Sequence, residues 1–199
     1  MYIVLLGWDI RKALNLLHQM NPSICEWLYS PIIYYTNLEL DFQKLAKEAL
    51  LSQNRILPLL YHYKSMAKSN FKAHIDGKEN VNIKKYLYVI RPAGMFIWLI
   101  NKNENKLVNF EIDFSVILNE IKDSMSQECN KNVEEIIEKK KQLNESDLKP
   151  RIACVDEWIN GVLSDKYTDA LKKIEKEGCY DKQISLELLD RLFFKVLNV

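Results

Sequence analysis

The sequence predicts a mainly α-helical protein with one short strand at its start. The 199 residues include only 5 glycines and 5 prolines, which indicates few turns and long regular elements. Apolar residues recur at the i, i+3, i+4 spacing of amphipathic helices through most of the chain. The run Tyr2–Leu6 is instead continuously apolar and rich in strand formers, and Gly7 ends it.

The composition excludes several broad classes of protein. Apolar residues make up 48% and charged residues 28%, as in an ordinary globular domain with its own core. The formal net charge is +1, so affinity for phosphate would have to come from a local cluster of cations. The 4 cysteines and 3 histidines are scattered, which argues against structural zinc and favours separate, reduced, mostly buried thiols. We see neither a signal-peptide pattern nor an apolar run of the roughly 20 residues that a membrane helix needs, so we expect a cytoplasmic protein without a membrane partner.

A first helix follows the strand. Asp9 is a candidate N-cap for a helix over Ile10–Gln19. The apolar residues of that helix fall on one face, at Ile10, Ala13, Leu14 and Leu17. A lone strand is not stable, and the sequence offers Tyr2–Leu6 no convincing partner strand nearby. Either Tyr2–Leu6 therefore pairs with something unusual, or its sheet is missing from this chain.

A second, short helix is predicted to begin at Pro22, which suits the first position of a helix. Ser23 and Glu26 have the spacing of a capping box. The helix carries Trp27 and should end before Pro31, because the residue preceding a proline avoids helical geometry.

Helical periodicity then continues to the end of the chain. Helices are predicted over roughly 38–51, 55–75, 81–101, 114–121, 132–143, 152–162, 167–176 and 184–197. The inward residues of the helix over 55–75 should be Leu59, Leu60, Tyr63, Met66 and Ala67. The helix over 81–101 should kink at Pro92 and form the centre of the core, since its second half is apolar on nearly all sides. The charged helix over 132–143 should lie at the surface, and the last helix is either buried or an interface.

The helix over 81–101 carries the first candidate site. Lys84, Tyr88 and Arg91 are spaced i, i+4, i+7 and therefore share one helical face. An ammonium and a guanidinium beside a phenol suit the oxygens of a triphosphate. The alternative is a solvated face on which the cations reach water and the tyrosines snorkel.

Two further candidates are each open to a structural alternative. Asp9 and Lys12, next to Trp8, could orient a phosphate-binding group, or they are a helix cap and a surface lysine. His62 could be a general base or a hydrogen-bond anchor, or it is a packed histidine.

Two carboxylate pairs could hold Mg²⁺ if they lay on strands, namely Glu39 with Asp41 and Glu111 with Asp113. Both pairs, however, immediately precede a helical pattern. Acidic residues in that position cap the helix and offset its dipole, which is the reading we favour.

Three stretches of the chain carry a more specific signal. They read GWDIRKALNLLHQMNPSICEWLYSPIIYY (7–35), YHYKSMAKSNF (61–71) and IKKYLYVIRP (83–92), with a weaker continuation in PRIACVDEWIN (150–160). In this order they closely resemble successive motifs of a nucleotidyltransferase family of the DNA polymerase β superfamily that is linked to RNA repair.

The resemblance implies transfer of a nucleotidyl group from a nucleoside triphosphate, such as ATP, to a hydroxyl acceptor. Two Mg²⁺ ions on the acidic residues of a small sheet would assist this transfer, and a helical domain would close over the nucleotide. The residues implied in nucleotide binding are Lys84, Tyr88, Arg91 and Lys12. The residues implied in orienting the site are Trp8, Asp9, Glu26, Trp27 and His62.

The chain departs from the family pattern in its catalytic segment, and Tyr2–Leu6 also lacks the acidic residue that the family carries on this strand. The family's Gly-Ser and Asp-x-Asp motifs do not occur in these 199 residues, and only six residues precede Gly7. We therefore expect residues 1–35 to be a remnant of the catalytic head and residues 36–199 to be the helical nucleotide-closing domain. Catalytic and metal-binding residues are then absent, and the chain is a truncated or split enzyme that is inactive alone.

A separately encoded catalytic head is the partner that this interpretation implies, and the acceptor could be an RNA end, a protein or a small molecule. The alternative is a non-catalytic, helical protein-interaction module. In that case the apolar face of Ile10–Leu17 and the apolar last helix would bind a protein partner.

Overall fold

The computed structural model describes residues 9–32, 43–44, 46–47, 56–103, 110–139, 148–176 and 186–197. The elements run in the order α1 (Ile10–His18), α2 (Pro22–Tyr29), α3 (Leu57–His74), β1 (Asn80–Asn82), α4 (Ile83–Asn103), α5 (Phe114–Ile121), a 3-10 helix (Lys122–Ser124), α6 (Gln127–Lys139), β2 (Leu148–Pro150), α7 (Ala153–Leu163), α8 (Asp165–Lys176) and α9 (Leu186–Leu197). The prediction of a mainly α-helical fold is confirmed. Within these ranges, no helix combines the length and the apolar character needed to cross a bilayer.

The core is built around α4, which packs against α3, α5, α6 and α7. Its side chains are buried on nearly all sides in the second half, where Phe96 and Leu99 are fully buried. This burial confirms the prediction of a central core helix. Burying apolar surface around one long helix provides the main driving force for the fold, at about 25 cal/mol per Å² of apolar surface.

A glycine allows α4 and α5 to approach closely. A Cβ atom at Gly94 would lie 3.1 Å from both Phe114 Cε2 and Ile121 Cδ1. These distances are shorter than ordinary van der Waals contacts, so a larger residue at position 94 would push α5 away. The close approach helps to set the positions of the α5 side chains relative to α4.

The two strands β1 and β2 form an antiparallel pair that was not predicted from the sequence. Asn80 lies opposite Pro150, and Asn82 lies opposite Leu148. The helix predicted from Val81 therefore begins only at Ile83. Strands of three residues are too short to show the alternation that identifies a strand in a sequence, and this pair joins distant segments.

A buried polar network fixes α4 to the start of α7. The hydroxyl of the fully buried Tyr86 donates to Asp156 Oδ1 at 2.9 Å and accepts from the Ile152 N–H at 3.0 Å. Arg151 Nε donates to Asp156 Oδ2 at 2.7 Å. Burial raises the pKa of Tyr86, and the hydrogen bond to Asp156 acts in the same direction. The idea that the tyrosines of α4 snorkel to solvent is therefore wrong for Tyr86.

Two local predictions are corrected by the packing. At the start of α2, Asn21 is the N-cap and accepts the Ser23 N–H at 2.9 Å, so Ser23 and Glu26 do not form a capping box. Pro22 does occupy the first turn as predicted. On α3, Met66 is exposed rather than inward. The buried face of this helix is formed by Leu59, Leu60, Tyr63, Ala67 and Phe71.

The cysteines are free where described, but two of them are neighbours. The buried Cys129 lies within hydrogen-bond reach of Cys154, and its pKa is raised to about 12 by burial and then by this neighbour. Both thiols are nevertheless free, so neither of these two cysteines is in a disulfide. The mostly buried state of the thiols is as predicted, with Cys25 and Cys129 buried and Cys154 half-buried.

The first and last helices pack against each other. α1 contacts α9 and α2, its residues Leu14 and Leu17 are buried, and Arg11 lies 5.7 Å from the centre of the Phe193 ring. The apolar face of α1 is thus largely covered within the chain. The predicted strand Tyr2–Leu6 and most of the predicted helix over 38–51 lie outside the described residues.

Candidate functional site

The candidate site begins on the exposed face of α4. The Asn82 side chain accepts the Lys84 N–H at 2.9 Å and so caps the start of this helix. Lys84 is half-buried, whereas Tyr88 is 51% exposed and the Arg91 side chain is 51% exposed. The first turn contains no acidic residue, so the positive end of the helix dipole is not offset locally. We call Lys84, Tyr88 and Arg91 together the α4 face.

Lys85 adds a further positive charge to the α4 face. Its Nζ atom lies 4.7 Å from the centre of the Tyr88 ring, a cation–π distance. The ring of His74 lies on the same side, with its centroid 6.2 Å from that of Tyr88. Tyr88 is therefore placed between groups from two helices, while the residue as a whole remains half exposed.

Arg91 is held from the other side by α2. Its Nη2 atom lies 3.7 Å from Glu26 Oε2, and the buried Tyr63 donates its hydroxyl to Glu26 Oε1 at 2.8 Å. Burial, followed by the Glu26 carboxylate, raises the pKa of Tyr63, so this phenol remains a donor. Glu26 thus links α2, α3 and α4 at the edge of the α4 face.

His62 lies beside this link. Its ring packs edge-on against Tyr63 with centroids 5.4 Å apart. Partial burial lowers the pKa of His62, and the Glu26 carboxylate opposes this shift. This position beside the Glu26 carboxylate is compatible with the orienting role predicted for His62. It is equally compatible with the alternative, a packed histidine without a role in the site.

The backbone of α4 is adapted at the same place. Pro92 has no N–H, so the carbonyl of Tyr88 loses its usual helical donor. The side chain of Asn70 on α3 replaces it and donates to the Tyr88 oxygen at 2.8 Å. This bond joins α3 to α4 next to the exposed ring of Tyr88.

A cavity of about 740 Å³ opens next to Arg91. It lies between α4, α5, the 3-10 helix and α6, and we call it the α4–α6 cavity. Arg91 and Leu87 contribute from α4, one turn apart. Arg91 therefore belongs both to the α4 face and to the wall of the cavity.

The remaining predicted site residues lie elsewhere or have structural roles. Asp9 accepts the Lys12 N–H at 3.0 Å as the N-cap of α1, as predicted, and α1 packs chiefly against α9 and α2 rather than α4. Trp27 is 51% exposed on α2. Trp8 lies outside the described residues.

The carboxylate pairs do not form a described metal site. Glu111 accepts the N–H groups of Ile112 and Asp113 at 2.7 Å, and Asp113 caps α5 by accepting from Ser115. Asp113 is therefore a helix cap, as we favoured, whereas Glu111 binds backbone N–H groups just before the helix. Glu39 and Asp41 lie outside the described residues, and the described ones contain no group of three or more potential metal ligands.

Sequence reasoning missed the contributions of α5 and α6. The polar and charged groups that line the cavity there are Ser115, Asn119, Lys122, Gln127, Asn130, Lys131, Glu134 and Glu138. On the sequence these are ordinary solvated residues, because no local pattern shows which neighbouring helix they face.

The amino-acid sequence matches a known protein family. Residues 3–195 match the model of the RNA repair pathway DNA polymerase beta family. The match covers nearly the whole chain, so the chain belongs to this family. The resemblance inferred from the three sequence motifs is therefore confirmed.

The chain is also similar to the uncharacterized protein YcgL of Bacillus subtilis (strain 168). The two are 34% identical over 174 residues, which cover 86% of this chain and 62% of the relative. The chain thus matches somewhat less than two thirds of the length of this relative. No solved structure matches the chain.

Proposed function

We propose that these residues form the nucleotide-binding, helical part of an RNA-repair nucleotidyltransferase. The observation that carries the proposal is the α4 face, on which Lys84, Tyr88 and Arg91 lie together and accessible beside a large cavity. The nucleoside triphosphate is the donor, and an RNA hydroxyl is the acceptor. The division into residues 1–35 and 36–199 remains part of this proposal.

The α4 face has the chemistry to bind a triphosphate. Arg91 offers a planar fork of donors that can bind two phosphate oxygens, and Lys84 and Lys85 add charge near the positive end of α4. The Arg91–Glu26 ion pair is long and partly exposed, so it contributes only about 0–1 kcal/mol. Such a weak pair orients the guanidinium without preventing it from binding phosphate.

Transfer requires metal ligands that the described residues do not provide. Of the two carboxylate pairs that the sequence suggested as Mg²⁺ sites, Glu111 with Asp113 lies in the described ranges. Both of these carboxylates accept backbone N–H groups there, and Asp113 caps α5. These residues therefore do not fit the metal centre that the family implies, and we derive no transfer step from them. We propose that a Gly-Ser and Asp-x-Asp segment outside these 199 residues supplies the metal ligands, and that the isolated chain does not catalyse transfer.

Calorimetry with Mg-nucleoside triphosphates and with inorganic tripolyphosphate tests the proposed phosphate contacts. We expect both ligands to bind, and Arg91→Ala to weaken both about ten- to a hundredfold, because it removes a charged hydrogen-bonding group. Arg11→Ala is the matched control, since it removes the same side chain from α1, where it lies over Phe193. Absence of binding, or equal effects of the two variants, would contradict the proposal.

A transfer assay tests the second part. The isolated chain is incubated with labelled nucleoside triphosphates, Mg²⁺ and an RNA with a free hydroxyl end, and we expect no incorporation of label. Incorporation that Arg91→Ala abolishes would show that the chain is active alone. An in-frame or separately encoded Gly-Ser and Asp-x-Asp segment in the neighbouring DNA would identify the missing head.

A further inference from the structure

We propose that the α4–α6 cavity binds the base and ribose of the nucleotide whose phosphates lie on the α4 face. This inference rests on the proposed function and adds a location for the uncharged part of the ligand. The volume of about 740 Å³ lies within the range of roughly 300–1,000 Å³ that is typical of small-molecule sites. Arg91 lines the cavity and also belongs to the α4 face, so one ligand can contact both.

The inner surface of the cavity suits a flat heterocycle. Its apolar lining comes from three helices, with Leu87 on α4, Phe114 and Leu118 on α5, and Val133 and Ile137 on α6. Phe114 is half-buried, and its ring packs against α4 at Gly94, which supports one side of the ring. Stacking of a base on an aromatic side chain contributes about 1–3 kcal/mol in nucleic-acid-binding proteins.

The polar groups of the lining suit the edges of a base. Asn119, Gln127 and Asn130 each carry an amide, which can donate and accept at the same time. Paired donors and acceptors of this kind are how side chains distinguish bases. The Asn130 amide already donates to the Lys122 carbonyl at 2.9 Å, so it is held in place before a ligand arrives.

The charges of the lining argue against a triphosphate inside the cavity. Arg91, Lys122 and Lys131 are opposed there by the carboxylates of Glu134 and Glu138. Carboxylates repel phosphate oxygens but accept hydrogen bonds from ribose hydroxyls and from the amino groups of bases. The phosphates are therefore expected outside, on the α4 face, and the nucleoside inside.

The test uses the chain with carbon-13-labelled methyl groups and records spectra with adenosine, guanosine, cytidine, uridine and their triphosphates. We expect the methyl signals of Leu87, Leu118 and Val133 to shift with at least one nucleoside and its triphosphate. The Val116 signal should not move, because this residue is 41% exposed on α5 and does not line the cavity. Tripolyphosphate alone should leave the cavity methyl groups unshifted.

A pair of substitutions checks the same point by calorimetry. Leu118→Trp fills the cavity, so it should weaken nucleoside triphosphate binding at least tenfold and leave tripolyphosphate affinity unchanged. Val116→Trp adds the same bulk to the same helix outside the cavity and should change neither affinity. If Leu118→Trp does not fold, Asn119→Ala and Gln127→Ala replace it, and they should alter the relative affinities of the four nucleosides.

The outcomes separate this inference from the proposed function. Triphosphate binding without shifts in the cavity, or with full affinity in Leu118→Trp, would overturn the nucleoside site and leave the α4 face intact. Shifts with nucleosides but no binding of tripolyphosphate would support the cavity and contradict the phosphate contacts. No binding of any nucleoside or triphosphate would overturn both.

Discussion

At the scale of single residues, Glu26 has the most connected position near the candidate site. One carboxylate oxygen accepts from Tyr63, and the other lies 3.7 Å from Arg91 Nη2. The same charge acts on His62, whose pKa is lowered by burial and partly restored by Glu26. Removing this charge should therefore change the pKa of His62 and break the ion pair with Arg91.

The first prediction concerns the pKa of His62. Glu26→Gln should lower that pKa further, because the amide no longer stabilises the protonated imidazole. An NMR pH titration of the imidazole carbon-bound protons measures the shift. His74 is the control, since burial, Lys85 and Lys78 lower its pKa and Glu26 has no part in it. An upward shift at His62, or equal shifts at both histidines, would contradict the prediction.

The sign of the associated pH dependence follows from linkage. A histidine whose pKa is lower in the folded state stabilises the fold fully above its unfolded pKa of about 6.5. That contribution is lost as the pH falls through the interval down to the folded pKa. Glu26→Gln widens this interval, so the variant should lose more stability than the wild type on acidification.

At the scale of elements, α4 depends on a side chain of α3. Pro92 leaves the Tyr88 carbonyl without its helical donor, and Asn70 donates to that oxygen at 2.8 Å. Pro92 is buried, so the proline and its substitute donor are part of the packed α3–α4 contact. This arrangement makes the two positions energetically dependent on each other.

A double-mutant cycle tests that dependence. Asn70→Ala should reduce the free energy of unfolding by about 1 kcal/mol, the usual contribution of one hydrogen bond. In the Pro92→Ala background the backbone N–H of residue 92 can serve the Tyr88 carbonyl, so Asn70→Ala should cost less there. Urea denaturation of the four proteins gives the coupling energy, expected at about 0.5–1 kcal/mol. An equal cost in both backgrounds would show that Asn70 does not replace the missing donor.

At the scale of the whole molecule, the network of Tyr86, Asp156 and Arg151 joins the start of α4 to the start of α7. It lies beside the β1–β2 pair, where the Arg151 N–H also donates to the Glu79 carbonyl at 3.3 Å. Asp156 is 7% exposed, so its carboxylate oxygens depend on these partners for hydrogen bonds. Breaking the network should therefore affect the packing of α7 on α4.

Substitutions in this network should lower stability in a defined order. Asp156→Ala should cost about 2–4 kcal/mol, because it leaves buried partners unpaired. Tyr86→Phe should cost about 1–2 kcal/mol, and Arg151→Ala less, since the guanidinium is partly solvated. Tyr88→Phe is the control, because its exposed ring makes no described hydroxyl bond, and it should stay within about 0.5 kcal/mol of the wild type. Urea denaturation measures all four, and wild-type stability of Tyr86→Phe would contradict the role of the network.

Features that depend on neighbouring residues could be predicted from the sequence. The helices follow from apolar periodicity, and the Asp9 cap follows from a single turn of chain. Placement of Lys84, Tyr88 and Arg91 on one face follows from helical spacing alone. The family followed from three motifs in order, and the match over residues 3–195 confirms it.

Only the tertiary structure decided which distant groups meet. Glu26 was expected to cap its own helix, but Asn21 takes the cap and Glu26 faces Arg91 and Tyr63 instead. The β1–β2 pair and the α4–α6 cavity depend on segments far apart in the chain. The physical reason is that periodicity specifies which face of a helix is apolar, whereas the packing of helices around α4 determines what each polar face meets.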